Sequence, residues 1–446
     1  MSETTRPNIV FMHSHNTGTF VAPYGHAVAT PNLDRLAREG IAFRRAFAAA
    51  PTCSPSRAAF LTGMYPHSCG MLGLAHRGFS MNDYTQHVIY RLKELGYVTA
   101  VSGVEHTAPD TNTVGYDHIL SGQDANYPDA KNPRNSTEAA VSFIDRNTKL
   151  FFLSFGLNET HRPFPKAEPG IYPAEDARYC VPPAPLPDTP ETRDDTADFK
   201  AAARIMDTSF GQVLEALDRN DLTENTLICC FSDHGLQFPR NMCNLTDHGT
   251  RVYLIMKGPG GFSGGTVQDA LVSLIDLVPT VYDLVGIDTP EFVNGHSLIP
   301  LADGSKAAIR DAVFSEVNYH ASYEPMRCVR TERYKYIRRY DQRDRMVLPN
   351  VDDTPSKQYL LEQGWADQPR DQEMLYDLVF DPNEANNLIG MAHTKGVADE
   401  LRQRLETWMV ETKDPILATG SVEAPSGTRV NDPDGESPRN DTLITP

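Results

Sequence analysis

Residues 53–63 of this chain read Cys-Ser-Pro-Ser-Arg-Ala-Ala-Phe-Leu-Thr-Gly. This order predicts the start of a helix, with Ser54 as the capping residue, Pro55 in the first turn and an apolar run behind them. A helix N-terminus exposes backbone N–H groups and the positive end of the helix dipole, which favours an anion or an anionic nucleophile at Cys53. Arg57, one turn further on, carries a fork of donors that suits the same anion. A buried structural thiol is the commoner role for a single cysteine, so the segment predicts a functional site only together with its surroundings.

The composition is that of a folded protein with an acidic surface. The chain has 446 residues, of which 40% are hydrophobic and 22% charged, and its formal net charge is -18. This charge argues against nucleic acid and against a membrane surface as partners, so an anionic substrate must meet a local basic pocket. We find no signal-peptide pattern, no apolar run of membrane-spanning length and no disulfide or zinc-knuckle spacing among the seven cysteines. The sequence therefore predicts a cytoplasmic protein.

The apolar pattern predicts an α/β fold with a mainly parallel central sheet flanked by helices, and a smaller C-terminal α+β subdomain. Short apolar runs alternate with helical periodicity over roughly the first 300 residues, as is typical of βαβ units. We expect a larger α/β domain over residues 1–310, an antiparallel-sheet subdomain over 311–418 and a polar, extended or disordered tail over 419–446. The predicted strands are Asn8–Met12, Val98–Val104, Leu150–Phe155, Thr226–Phe231, Val252–Met256, Ala312–Val317, Met326–Arg330 and Tyr334–Arg339. The predicted helices are Asn32–Glu39, Gln86–Leu95, Thr137–Arg146, Lys200–Arg219, Leu271–Val285 and Val397–Val410.

Four groups of polar residues come directly after predicted parallel strands. His13-Ser14-His15-Asn16 follows the first strand, His106 the second, His161 the third and Asp233-His234 the fourth. Because the carboxyl ends of parallel strands share one edge of an open sheet, where ligands bind in such folds, we expect these groups to lie together. A single histidine of this kind is more often a structural residue. Four of them at one edge predict a metal or acid–base site near Cys53.

The undecapeptide 53–63 resembles the signature of the sulfatase family, Cys-x-Pro-Ser-Arg-x-x-x-Leu-Thr-Gly, at every fixed position. The resemblance covers nearly the full chain, since Thr30–Asp34, Gly63–His67, Phe231–Gly235 and the run from Leu375 to Leu388 also look like family segments in the expected order. It implies the fold of the alkaline phosphatase superfamily. It also implies a formylglycine, made from Cys53 by a maturation enzyme, whose hydrate attacks the substrate, and one divalent metal ion, which is usually calcium.

The resemblance further implies roles for individual residues. In the family, the equivalent of Asp233 binds the metal and takes a proton from the hydrated nucleophile. The equivalent of His106 contacts the hydrated aldehyde and helps to expel sulfate, and that of His161 binds sulfate oxygens. The implied catalytic residues are therefore Cys53, Arg57, His106, His161 and Asp233, and the implied metal ligands are His15, Asn16, Cys53, Asp233 and His234.

Two positions of the implied metal site differ from the family. His15 and Asn16 stand where the family carries a pair of aspartates. Calcium prefers several carboxylates, so the loss of two negative charges weakens a calcium site. Two imidazoles, from His15 and His234, with one carboxylate suit zinc or manganese better. A site that binds no metal is the alternative.

Two cationic anchors for the substrate are also missing. Val104 replaces the lysine of the family pattern Gly-Lys-x-His, and Met242 stands where the family carries a lysine or arginine. Arg240, on the same face if the segment is extended, and His248 are candidate replacements. Charge-assisted contacts contribute roughly 1.5–3 kcal/mol each, so unreplaced losses would lower transition-state stabilisation by orders of magnitude. A retained nucleophile beside a changed anion site indicates a changed substrate.

The sequence therefore predicts a metal-dependent hydrolase of sulfate esters or sulfamates. The segment from Ser54 to Gly78 most resembles N-sulfoglucosamine sulfohydrolase-like members of the family. The expected partners are a small anionic substrate, such as a sulfated sugar or an aryl sulfate, the maturation enzyme, and a second copy of the chain in a homo-oligomer. Two alternatives stay open, a phosphate diester or phosphonate monoester hydrolase on the same scaffold and a non-catalytic sulfatase-like protein. The intact motif at Cys53 argues against the second alternative, whereas the changed metal and anion positions argue for it.

Overall fold

The computed structural model describes residues 6–121, 135–164, 175–439 and 443–444. Within them the strands, numbered β1 to β17 in chain order, are Asn8–Ser14, Ile41–Phe43, Ala46–Phe47, Val98–Gly103, His118–Ile119, Phe151–Gly156, Thr226–Ser232, Arg251–Val252, Leu254–Lys257, Thr266–Gln268, Val272–Ser273, Ala312–Tyr319, Tyr323–Thr331, Tyr334–Arg339, Glu373–Asp377, Val430–Asn431 and Leu443–Ile444. The α-helices, numbered α1 to α12, are Pro31–Glu39, Cys53–Thr62, Pro66–Cys69, Val88–Glu94, Ser136–Arg146, Pro190–Arg219, Asp247–Thr250, Leu277–Val285, Ile299–Ala302, Pro355–Glu362, Lys395–Glu411 and Pro415–Thr419. None of the described helices is both long and apolar enough to cross a membrane.

The centre of the molecule is an eight-stranded sheet in the order β10-β2-β9-β7-β1-β6-β4-β5. The five strands from β7 to β5 are parallel, whereas β9 pairs antiparallel with both β7 and β2. The predicted α/β fold with a mainly parallel sheet is therefore confirmed. Its central strands read as continuous apolar runs because helices cover both faces of the sheet.

Alternate residues of β1 point to opposite faces and separate two hydrophobic cores. Ile9 and Phe11 belong to the core that packs against α2, α4 and α8. Val10 and Met12 belong to the core that packs against α1, α5 and α6. This period of two is the geometry of a strand covered on both sides, and it leaves the polar residues at the carboxyl end of β1 at the edge of the sheet.

The predicted antiparallel subdomain is also present. Strands β12 to β15 form a four-stranded antiparallel sheet, and α11 packs on it through Leu401, Leu405 and Trp408. The same core includes Ala58 and Ala59 of α2. Helix α2 thus lies between the central sheet and the C-terminal subdomain, and all ten of its residues are buried.

Two helices begin six or more residues away from their predicted starts. The helix predicted to start at Lys200 starts ten residues earlier, because Thr189 and Thr192 form a reciprocal capping box around Pro190. The prediction of helix over Leu271–Val285 was wrong for its first residues, which form β11 and a 3-10 turn before α8. In both places capping geometry, rather than apolar periodicity, sets the boundary.

The described part of the tail is extended but attached to the molecule. Val422 and Val430 are buried in the core of the C-terminal subdomain. Arg77 Nη2 donates a hydrogen bond to the carbonyl of Pro438 at 3.1 Å. The polar composition of the tail did not reveal these anchors, which hold it beside the loop that follows α3.

Candidate active site

Helix α2 begins at Cys53 itself. Thr52, with extended backbone angles, is the N-cap residue, so the predicted capping by Ser54 was wrong. The hydroxyl of Ser54 instead accepts a hydrogen bond from the backbone N–H of Ala75 at 3.0 Å. Pro55 lies in the first turn as predicted. Cys53 is thus the first helical residue, with only 2% of its surface exposed.

The side chain of Cys53 contacts two of the predicted metal ligands. Its Sγ lies 3.3 Å from His234 Nε2 and 3.7 Å from Asn16 Oδ1. His234 Nδ1 lies 3.0 Å from the carbonyl of Gly235, which can only accept, so Nδ1 carries the proton and Nε2 is free to accept or to bind a cation. Burial, followed by the charge of Asp233, raises the pKa of the Cys53 thiol well above its usual range. For the unmodified thiol, burial therefore outweighs the helix dipole.

The guanidinium of Arg57 contacts buried groups beneath Cys53. Its guanidinium forms a fully buried ion pair with Asp233 at 3.1 Å. Nη1 also donates to the carbonyl of Val104 at 2.8 Å and meets His13 Nδ1 at 3.1 Å. Arg57 thereby fixes the Asp233 carboxylate, and its Nε has no hydrogen-bond partner among the described residues. That Arg57 also directs donors to an anion at Cys53 stays a prediction.

The ligand atoms of His15, Cys53, Asp233 and His234 all lie within 4.8 Å of one another. His15 Nε2 is 3.6 Å from Asp233 Oδ2, and neither ring nitrogen of His15 has a hydrogen-bond partner among the described residues, although the ring is buried. Burial lowers the pKa of both His15 and His234, so both imidazoles are neutral and offer a lone pair. These residues, with Asn16 Oδ1 alongside, therefore fit a divalent cation of borderline softness.

The four segments that follow the parallel strands meet around His15. The ring of His15 lies 4.5 Å from that of His161, 6.2 Å from that of His106 and 6.4 Å from that of His234, measured between centroids. His106 has a φ of 66°, a left-handed conformation that costs free energy in a residue other than glycine. Such strain at a pocket residue is typical of a side chain held in place for function.

Gln237 is a buried amide that connects several of these groups, and sequence reasoning missed it. Its Oε1 accepts from Asn16 Nδ2 at 2.8 Å, so the Asn16 amide is oriented with Oδ1 toward Cys53. Its Nε2 lies 3.4 Å from His161 Nε2 and donates to Asp352 Oδ2 at 2.5 Å. Because Gln237 follows the Asp-His pair by three residues, its proximity in the sequence was an available signal.

Three further residues of the site were indicated only weakly, or not at all, by the sequence. His76, noted only within a family-like run, has Nδ1 2.9 Å from His106 Nε2 with the two rings stacked. His320 and Asp352 come from the C-terminal subdomain. His320 is buried, and its Nδ1 has no hydrogen-bond partner within the described part of the chain. Tertiary packing alone brings these two residues to the site.

The missing anion anchors are not replaced by the predicted candidates. Met242 is buried, and the segment around it turns rather than extends, since Arg240 has a φ of 65°. Arg240 Nη1 therefore points away to the carbonyl of Pro185, at 3.3 Å. His248 Nε2 lies 3.2 Å from the carbonyl of Asn383. The expectation for Arg240 was wrong because strand-like alternation does not apply to this turn.

A nucleophile position at a helix N-terminus, surrounded by a carboxylate and histidines at the carboxyl edge of a parallel sheet, is the arrangement of a hydrolase. The family model described as sulfatase matches residues 7–287, and the one described as N-sulphoglucosamine sulphohydrolase, C-terminal, matches residues 233–364. The chain belongs to the sulfatase family, as the resemblance implied.

Similar proteins agree with this assignment. N-sulphoglucosamine sulphohydrolase of Homo sapiens is 30% identical over 443 residues, which cover 87% of each chain. A solved structure of a protein in complex with its substrate D-glucosamine-2-N,6-O-disulfate has a TM-score of 0.71 at 22% identity and covers 92% of this chain and 99% of that one. The phosphonate monoester hydrolase of Agrobacterium radiobacter has a TM-score of 0.67 at 19% identity, with coverage of 93% and 97%. These two structures show that the fold is shared.

Proposed function

We propose that this chain hydrolyses a sulfamate or sulfate ester of a sugar and releases inorganic sulfate, with Cys53 in the formylglycine form as the nucleophile. The observation that carries the proposal is the placement of Cys53. It opens α2, with its Sγ 3.3 Å from His234 and inside the group of Asp233 and His15. The similarity to a protein named N-sulphoglucosamine sulphohydrolase supports sulfated amino sugars as the substrate class.

The raised thiol pKa supports a modified residue at this position. A neutral, buried thiol is a poor nucleophile, so unmodified Cys53 is poorly suited to attack sulfur. Formylglycine supplies a hydrated aldehyde whose hydroxyl is the attacking group. Asp233 Oδ2 has no hydrogen-bond partner among the described residues and is the base we assign to take the proton of the nucleophile, while the Oδ1 of the same carboxylate is held by the backbone N–H groups of Asn16 and His234.

The residues that would hold a divalent metal are His15, Asn16, Asp233 and His234. A metal bound there would supply positive charge next to the nucleophile and the transferred sulfate group. His15 and His234 are the softer ligands of this set, so we propose zinc or manganese in preference to calcium. Formylglycine at residue 53 would complete the set of oxygen ligands.

The scarcity of cationic side chains at the site suits a substrate group with one negative charge. Burial lowers the pKa of His15, His106 and His234, and the two family cations are absent at Val104 and Met242. A sulfate monoester or sulfamate carries a single charge, whereas a phosphate monoester carries nearly two at neutral pH. We therefore assign His106 and His161 to the sulfate oxygens and the leaving group, with His106 as a hydrogen-bonding, rather than ionic, partner.

The test begins with the chain produced together with a formylglycine-generating enzyme. Peptide mass spectrometry is expected to show formylglycine at residue 53, and the protein to release sulfate from glucosamine N-sulfate. The Cys53→Ala variant, which removes only a buried thiol, is the matched inactive control. Faster turnover of a phosphate diester or phosphonate monoester would overturn the proposal in favour of phosphoryl chemistry. Full conversion to formylglycine without turnover of any of these probes would favour a non-catalytic protein.

A further inference from the structure

Asp352 places a second carboxylate at a site that must bind an anion. It follows the 3-10 turn Leu348–Asn350 of the C-terminal subdomain and is only partly buried, so it is open to a ligand. One of its oxygens, Oδ2, accepts from Gln237 Nε2 at 2.5 Å. The same Gln237 amide nitrogen contacts His161, which places Asp352 next to the histidine cluster.

Asp352 forms no ion pair among the described residues. The nearby Lys357 attracts it electrostatically, but the Lys357 amino group lies 3.2 Å from Asp353 Oδ1 and donates to the backbone carbonyls of Leu348 and Val351. A carboxylate so placed repels the anionic group of every substrate.

Such a repulsion is offset when the substrate itself carries a hydrogen-bond donor that meets the carboxylate. Asp352 Oδ1 has no hydrogen-bond partner among the described residues, and Gln237 holds the other oxygen in place. A sulfated carbon of a sugar ring is flanked by carbons that carry hydroxyl groups, and a hydroxyl donates well to a carboxylate. An aryl sulfate has no such donor.

We propose that Asp352, held by Gln237, is the specificity-determining residue of this site and binds a sugar hydroxyl adjacent to the sulfated position. This inference rests on the proposed function. It adds that the enzyme selects sulfated sugars over aryl sulfates through one carboxylate from the C-terminal subdomain. The carboxylate weakens binding of substrates without the hydroxyl and strengthens binding of those that have it, which is how a polar site achieves selectivity.

The experiment compares Asp352→Asn with wild-type protein on glucosamine N-sulfate and on 4-nitrophenyl sulfate. Asparagine keeps the shape and the contact with Gln237 but removes the charge. We expect kcat/KM to fall roughly 10- to 100-fold on the sugar, the range of one hydrogen bond to a charged group, and to stay level or rise on the aryl sulfate. Asp353→Asn is the matched control, because this neighbouring carboxylate bonds Lys357 and Ser437 instead of facing the site. It should leave the ratio of the two activities unchanged.

Equal losses on both substrates, or no change on either, would overturn the role of Asp352. A second measurement does not depend on turnover. Calorimetry should show that glucosamine binds more weakly to Asp352→Asn than to wild-type protein. Analogues that lack one hydroxyl at a time are then compared on both proteins. Loss of the recognised hydroxyl should weaken binding to wild-type protein but should not weaken binding to Asp352→Asn any further. If wild-type protein with formylglycine at residue 53 releases no sulfate, the proposed function fails, while this calorimetric result still decides the role of Asp352. Unchanged glucosamine binding in Asp352→Asn would contradict it.

Discussion

Arg57 Nη2 lies 3.1 Å from Asp233 Oδ2, and neither side chain has any exposed surface. The histidines around this pair, His15 and His234 among them, have pKa values lowered by burial and are neutral. Arg57 is therefore the cation that balances the carboxylate facing Cys53. The buried ion pair joins α2 to the loop after β7, so the same contact positions the proposed base and ties the helix to the sheet.

Replacement of Arg57 by glutamine should strongly destabilise the protein. It leaves the Asp233 carboxylate buried without its cation, and the loss of one partner of a buried pair costs about 3–5 kcal/mol. Urea denaturation should show this loss in the free energy of unfolding. Arg35→Gln is the control, because its pair with Asp218 at 3.1 Å is exposed and should contribute less than about 1 kcal/mol. Equal effects of the two substitutions would contradict a structural role for the Arg57–Asp233 pair.

Zinc or manganese should raise the melting temperature of the protein more than calcium does at the same concentration. A ligand that binds only the folded state stabilises it in proportion to its affinity, and the donor set includes two neutral imidazoles. His15→Ala should weaken zinc binding by more than about 100-fold, as judged by thermal shift and calorimetry. His248→Ala, at a histidine outside the cluster, should leave zinc binding unchanged. Tighter binding of calcium than of zinc would contradict the assignment of His15 as a ligand.

Much of the fold could be predicted because short sequence patterns determine its strands and helices. The strand Tyr334–Arg339 has its predicted bounds, and β1 differs by two residues at one end. The convergence of the groups after β1, β4, β6 and β7 follows from the geometry of any parallel sheet. The boundary of α2 was missed by two residues because Ser54 bonds Ala75, a contact that no local pattern contains. Asp352 was missed for the same reason, since about 300 residues separate it from Cys53 and only the packing of the C-terminal subdomain brings it to the site.

His87 should make the stability of the protein sensitive to mild acid. It caps α4 by accepting from the N–H of Ile89, is fully buried beside Tyr116, and its pKa is lowered by burial to about 3. Because the folded-state pKa is depressed, the stabilisation is present above the unfolded pKa of about 6.5 and is lost as the pH falls from there toward 3. At pH 5 this single group should cost about 2 kcal/mol relative to pH 7.

Comparison with His87→Asn isolates that contribution. Asparagine can also cap a helix but does not titrate, so the variant should lose less stability than wild-type protein when urea unfolding is repeated at pH 7, 6 and 5. The other buried histidines titrate in both proteins and cancel in the difference. Parallel curves of the free energy of unfolding against pH would show that His87 does not carry the predicted effect.

His76 should matter most when the leaving group is poor. The residue is exposed, and its Nδ1 lies 2.9 Å from Nε2 of His106. The other ring nitrogen of His106, Nδ1, is buried and has no hydrogen-bond partner among the described residues. The two rings therefore form a path for a proton from solvent into the site. For His76→Ala we expect kcat to fall at least about 100-fold on glucosamine N-sulfate, whose amine must be protonated as it leaves, but only slightly on 4-nitrophenyl sulfate. In a series of aryl sulfates the defect should grow with the pKa of the phenol, which distinguishes His76 from Asp352, since loss of Asp352 acts through the sugar hydroxyl. His393→Ala, at an exposed histidine of the C-terminal subdomain, should behave as wild-type protein throughout. A defect of equal size on all leaving groups would mean that His76 only positions the ring of His106 and delivers no proton.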